Sequence, residues 1–231
     1  MSTLFTGFPE PGLEFLHQLK QNNQKSWFDE HRSEYEKYLL EPARLFVMAL
    51  GERLQSIAPN IQYDPRTDKS IFRIYRDVRF SKDKSPFKTH LGIWFWEGPR
   101  KKLENSGFYF HLEDDHLLLG SGIYGFPPDL LERYRQAVDD EKSGEPLVKV
   151  VAELEGKPGF FIGDEALKRV PRGYDPDHPR ARFLKFKGFG PIITLPVTPL
   201  VHTPQLLDEC MDIYTQMLPL HQWLVKYVVK P

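Results

Sequence analysis

The sequence predicts an α+β fold: a central antiparallel sheet over about residues 71–124 plus a strand at 191–196, covered by N-terminal, middle and C-terminal helices. Three observations carry that expectation. Apolar residues recur at helical spacing through the first 57 residues. Between residues 71 and 124 the pattern changes to short aromatic or β-branched runs bounded by Gly, Pro, Asn and Asp. Helical spacing then returns after Pro127-Pro128 and again from Thr203 to Val229.

Each element has its own signal. Leu13, Phe15, Leu16 and Leu19 give a short apolar helix face that ends at Asn22-Asn23. A second helix is expected from an N-cap at Ser26, with Trp27, Phe28, His31, Tyr35 and Leu39 at helical spacing. Pro42 either kinks that helix or opens a third as its first residue, running to about Ile57. The runs "SIFRIYRDVRF", "LGIWFWEG", "SGFYFHLED" and "HLLLGSGIYGF" read as strands, with Glu113 to His116 as a hairpin turn. Helices follow in "PPDLLERYRQAVDDE" and "GEPLVKVVAELEG", then a short one at 179–187 capped by Asp177. A long amphipathic C-terminal helix, kinked near Pro219, completes the chain. With no repeat, low-complexity tract or linker, residues 1–231 are expected to form one domain.

Composition narrows the class. Apolar residues make up 40% and charged residues 27% of 231, which excludes a disordered chain. The single cysteine, Cys210, lies in an apolar helical pattern and reads as a packing thiol. The start "MSTLFTGFPEPG" has neither a basic nor an apolar run, and no stretch approaches the roughly 18 apolar residues of a membrane span. A cytoplasmic protein without a membrane partner is the expectation.

The net charge of −1 conceals two basic segments. Residues 73–90 carry six Lys or Arg against two Asp, and residues 168–187 carry seven against two. On a strand, Phe72, Ile74, Arg76, Val78 and Phe80 would share one face, leaving Arg76 as its one charge, in need of a carboxylate or a cavity. On the other face Arg73 and Arg79 flank Asp77. Forked cations around a carboxylate make either a preorganised anion site or a mutually satisfied ladder. The expected function is binding of a small anionic ligand, phosphorylated or nucleotide-like, in a cleft between the two segments. Arg73, Arg76 and Arg79 would hold it with Lys84 and Lys88, and Asp77 would orient the arginines or act as a base. His111, between Tyr109 and Glu113 on its strand face, is the acid–base partner; Arg169, Arg172, Tyr174 and His178 would face the ligand from the second segment.

No reaction is assigned, and no cofactor. Neither an H-E-x-x-H, a C-x-x-C nor an EF-hand loop is present, and Glu113 to His116 reads as a polar hairpin tip, so no metal ligand is assigned. Gly120 and Gly122 mark a bulge or a close backbone approach. Ser106 has no base near it in sequence, so nucleophilic catalysis has no support. Two rivals stand beside the anion site. Nucleic-acid binding predicts an extended positive stripe and steep salt dependence; an internal ion-pair network predicts that the arginines serve stability alone.

The basic segment also resembles the fingerprint R-x-x-R-D-x-R-F-x-x-D-K of a mainly bacterial family, domain of unknown function 2461. Arg73, Arg76, Asp77, Arg79, Phe80, Asp83 and Lys84 meet it, and Phe87 stands where many members are expected to carry tyrosine. "FLHQLKQNNQKSWF", "GSGIYGFPPDLLERYRQAV" and "LKRVPRGYDPDHPRARFLKFKGF" are similar to the family as well. The resemblance implies a single-domain α+β protein and no established activity.

Overall fold

The computed structural model describes residues 4–230. It holds an antiparallel five-stranded sheet in the order β1-β2-β3-β5-β4, comprising β1 Leu91–Glu97, β2 Ser106–Leu112, β3 His116–Gly122, β4 Phe160–Ile162 and β5 Pro191–Pro196. The predicted α+β class is what is found. Three of the four predicted runs become β1 to β3, and the strand at 191–196 is β5. β4 was not anticipated: three residues are too few to show a period, although Phe160 pairs with Ile193 and Ile162 with Pro191. The chain clusters into two compact units, one formed by residues up to Phe95, Tyr109–Leu118 and Thr194–Asp212, the other by Trp96–Phe108, Leu119–Ile193 and the residues from Ile213 on.

In the first unit α1 (Glu10–Gln21) buries Leu13, Phe15, Leu16 and Leu19, the face its spacing predicts. α2 spans Lys25–Tyr35 and α3 spans Glu41–Leu54. Between them Glu36–Leu40 forms a π-helical turn with helical backbone on both sides. Pro42 is the second residue of α3 rather than the first residue of a separate helix, and the wider π-helical turn before it keeps the backbone helical up to the proline. Gln24, not Ser26, takes the N-cap position of α2. Phe46 of α3 meets Phe110 of β2 at 4.4 Å and Phe5 at 5.2 Å, an aromatic centre for this unit's core.

The second unit is built on α4 (Pro128–Asp139), α5 (Glu141–Glu155), the short α6 (Ala181–Leu184) and the later part of α7 (Leu206–Leu224). Leu130, Tyr134, Val138, Leu147, Val151, Phe183 and Trp223 form its core. Pro128 starts α4 as predicted, and the Asp140 side chain accepts from Ser143 N at 3.0 Å to cap α5. α7 continues through Pro219 and ends in a π-helical turn, Val225–Val229. The helix expected at 179–187 is only Ala181–Leu184, with Arg180 in the cap position. Asp177 does not cap it; Asp175 instead accepts from Asp177 N, and His178 Nδ1 accepts from Arg180 N at 2.9 Å. Gly122 stands at φ +123 and would place a Cβ 2.1 Å from Phe189 O, the close backbone approach predicted there, while Gly120 lies within β3.

Among the described residues no helix is long and apolar enough to cross a membrane.

Candidate functional site

Residues 71–80 do not form the regular strand expected of them. They run extended and antiparallel to the chain entering β1: Phe72 N donates to Gly92 O (3.0 Å) and Trp94 N to Ser70 O (2.9 Å). Further on, Lys88 N donates to Ile74 O (2.7 Å) and Arg76 N to Pro86 O (2.8 Å). Between these two pairs of bonds Thr89, His90 and Leu91 lie opposite Arg73 alone. The ladder slips there, as at a bulge, and only isolated pairings at Ile71–Ile93 and Tyr75–Phe87 survive. The predicted alternation still holds in part. Ile74 is buried, Phe72, Arg76 and Val78 are half-buried, and Arg73, Tyr75, Asp77 and Arg79 are exposed.

The loop that follows is pinned from two sides. Asn23 mimics a backbone unit, donating to Phe87 O and accepting from Phe87 N, each at 3.0 Å. The Phe87 ring is buried and stacks on Phe28 at 4.2 Å, so the position is a packing site. Asp77 accepts from Arg79 N (3.2 Å) and pairs through both oxygens with the Arg79 guanidinium (2.9 and 2.7 Å). These bonds to Arg79 hold the Asp77 carboxyl down at about 2. A carboxylate held that low is a weak base, and the geometry favours its orienting role. Arg76 pairs with Asp83, whose carboxylate also accepts from Ser85 N (2.9 Å) and Ser85 Oγ (2.7 Å). Arg76 thus has the carboxylate its position called for.

Among the described residues the other cations in the segment make no ion pair with a carboxylate. Lys84 Nζ donates to Val78 O (2.9 Å) and Lys88 Nζ to Arg73 O (2.8 Å), both neutral carbonyls. Desolvation pulls Lys88 below the usual lysine range, and the positive Arg73 adds to it. Arg73 and Lys82 make no side-chain hydrogen bond or ion pair among the described residues, and both are exposed. Phe80, beside them, is 95% exposed.

Next to this segment lies a cluster of imidazoles. Period-two alternation puts Tyr109, His111 and Glu113 on one face: Tyr109 Oη is 3.0 Å from His111 Nδ1, and His111 Nε2 is 3.1 Å from Glu113 Oε1. His90, in the bulge, stacks on His111 at 4.0 Å between ring centroids. His116 closes the hairpin opposite Glu113, which donates from its backbone N to His116 O at 2.9 Å. Its Nε2 lies 3.7 Å from the same Glu113 oxygen. The sequence marks Glu113 to His116 as a polar hairpin tip. Glu113 and His116 instead converge, because they are the last cross-strand pair rather than tip residues. Lys20 of α1 pairs with Glu113 Oε2 (2.8 Å) and with Asp114. Burial is the first cause that pushes His90 down to about 4, and it lowers His111 too. Phe72 joins this cluster to the basic segment: Lys88 Nζ sits over its ring at 5.4 Å, and its ring meets Tyr109 edge-on at 6.2 Å. His90 and His111 could both be singled out in sequence as acid–base candidates; their stacking, and the approach of His116, come from the bulge and the hairpin register.

Segment 168–187 belongs to the second unit. Arg180 is buried and donates to Val138 O (2.6 Å), Asp139 O (2.7 Å) and Glu145 (3.0 Å), holding the end of α4. Arg182 pairs with Glu155 and Lys185 with Glu165. His178 is 3.3 Å from Asp139, and Tyr174 packs on this unit's core. Arg169 and Arg172 are exposed, with no ion pair among the described residues.

Sequence reasoning also missed a buried relay in the second unit. Ser106 Oγ donates to His221 Nδ1 (2.9 Å), and His221 Nε2 donates to Glu97 (3.0 Å). Nothing local could reveal it, since Ser106 and His221 are 115 residues apart. The order Ser–His–Glu is that of a nucleophilic triad. Ser106 and His221 are both fully buried, however, and Phe108 covers the imidazole at 4.7 Å, so no acyl group reaches the hydroxyl. The relay satisfies buried polar groups.

The family model described as "Conserved hypothetical protein (DUF2461)" matches residues 12–223. The chain belongs to this family. No curated protein matches it. Membership in DUF2461 takes in both units and every candidate residue above, and it assigns them no activity.

Proposed function

We propose that this DUF2461 protein binds a small anionic ligand, phosphorylated or nucleotide-like, on the basic segment of residues 73–90. One observation carries the reading: among the described residues Arg73, Lys82, Lys84 and Lys88 make no ion pair with a carboxylate, while Asp77 pairs with Arg79 and Asp83 with Arg76. The charge of the segment is therefore left for a ligand, on a loop fastened at Phe87 by Asn23 and at its turns by two aspartates. Arg73 and Lys88 supply the first charges met by a phosphate, Lys84 adds reach, and Arg79, squared by Asp77, offers a forked donor. A cytoplasmic setting, where phosphorylated metabolites are abundant, belongs to the same proposal.

A thermal-shift screen against phosphorylated metabolites, nucleotides and unphosphorylated sugars tests it. Ligand at about 100 times its dissociation constant adds roughly 2.7 kcal/mol of apparent stability. The expected result is a shift with phosphorylated compounds alone, lost in Arg73→Ala and Lys88→Ala. No shift with any anion refutes the reading.

Phe80 favours one second reading. An almost fully exposed aromatic ring with the Arg79 guanidinium 5.8 Å from its centroid is a stacking platform for an unpaired base. Binding of single-stranded oligonucleotide would then fall steeply with salt and weaken in Phe80→Ala, whereas a site for one phosphate shows a shallow salt slope and ignores that substitution.

A further inference from the structure

We propose that His90, His111 and Glu113 form a binding site for one divalent transition-metal ion of the zinc class. One nitrogen or oxygen from each of the three lies within 4.8 Å of the others. Two imidazoles and a carboxylate make the mixed N/O donor set that zinc and its neighbours accept, whereas magnesium and calcium prefer oxygen alone. Bonds of about 2.0–2.1 Å in a tetrahedral shell leave ligand atoms about 3.3 Å apart. His111 Nε2 and Glu113 Oε1, at 3.1 Å, already have that separation.

Three further features fit a cation better than hydrogen bonds alone. The His90 imidazole is half-buried and has no hydrogen-bond partner among the described residues. Its ring nitrogens reach solvent, and a metal bond would give one of them a partner. Glu113 divides its oxygens: Lys20 takes Oε2, while the imidazoles of His111 and His116 face Oε1. An ion at Oε1 displaces no part of the lysine pair. Tyr109 is placed on His111 Nδ1, the outer contact that orients a ligating imidazole and leaves Nε2 to the metal. With three protein ligands one position stays open, and His116 Nε2 is 3.7 Å from Oε1. The site stands apart from the anion reading, since none of its ligands is among the cations of residues 73–88.

The test uses untagged full-length protein stripped with a chelator, titrated with Co²⁺ by visible absorption and with Zn²⁺ by calorimetry. One ion per chain is expected, with intense cobalt d–d bands from a low-coordinate site. His90→Gln and His111→Gln, each close in size to the original, should weaken binding at least tenfold, while His31→Gln on α2 changes nothing. Melting temperatures measured without metal show whether each variant is folded, and Glu113→Gln serves if either histidine variant is not. Absence of saturable binding in the parent protein, or parental affinity in both folded histidine variants, overturns the proposal.

Discussion

Asp77 and Arg79 form a pair two residues apart, and the physics of that pair is local. A carboxyl held at about 2 by its arginine should titrate there in an NMR pH series, and Arg79→Ala should return it toward the roughly 3.9 of a free aspartate. The sign follows: because the folded pKa is depressed, the pair's contribution is present above about pH 4 and is lost as pH falls through about 2. An unmoved titration in the variant would mean that the pair is not formed in solution. Arg180 is the opposite case, with its guanidinium buried among two carbonyls and Glu145. Arg180→Met should cost roughly 3 kcal/mol in urea unfolding, because the orphaned carbonyls lose their donors. Sequence made the charges visible but not their allocation. Arg76 and Arg180 look alike in composition, yet one meets an exposed aspartate seven residues on and the other anchors the end of α4.

At the scale of elements, periodicity revealed what turn signals bounded. β1, β2, β3 and β5 lie where short apolar runs are bounded by Gly, Asn or Pro, and the π-helical turn before α3 lies just ahead of Pro42. The failures have a common cause. Residues 71–80 have strand composition, but the three residues opposite Arg73 break the ladder, and pairing register is not written in one strand alone. The Ser106–His221–Glu97 relay was illegible for the same reason, since it ties the ends of β1 and β2 to α7. Its energetic weight is testable: His221→Leu leaves a buried carboxylate short of a donor and should cost about 3–5 kcal/mol. His221→Gln, which retains a donor, should cost less. Equal losses in the two variants would show that packing against Phe108, not the relay, matters.

For the whole molecule, an acidic body with two basic segments was legible from composition. How each segment uses its charge was not. In the second unit Arg180, Arg182 and Lys185 are matched to carboxylates, as an internal ion-pair network predicts. Arg169 and Arg172 there make no ion pair among the described residues, and neither do Arg73, Lys82, Lys84 and Lys88 in the first, where the unmatched cations lie close together in sequence beside the pinned loop; that clustering is the ground for seeking a ligand there. The most direct measurement is calorimetric titration of the full chain with inorganic phosphate, pyrophosphate and a nucleoside 5′-monophosphate, at two salt concentrations, beside Arg73→Ala. Saturable binding of at least one of them, weakened tenfold or more in the variant while its melting temperature holds, is the predicted result. Absence of binding, together with a lowered melting temperature in the variant, would contradict the account and make the basic segment part of the scaffold.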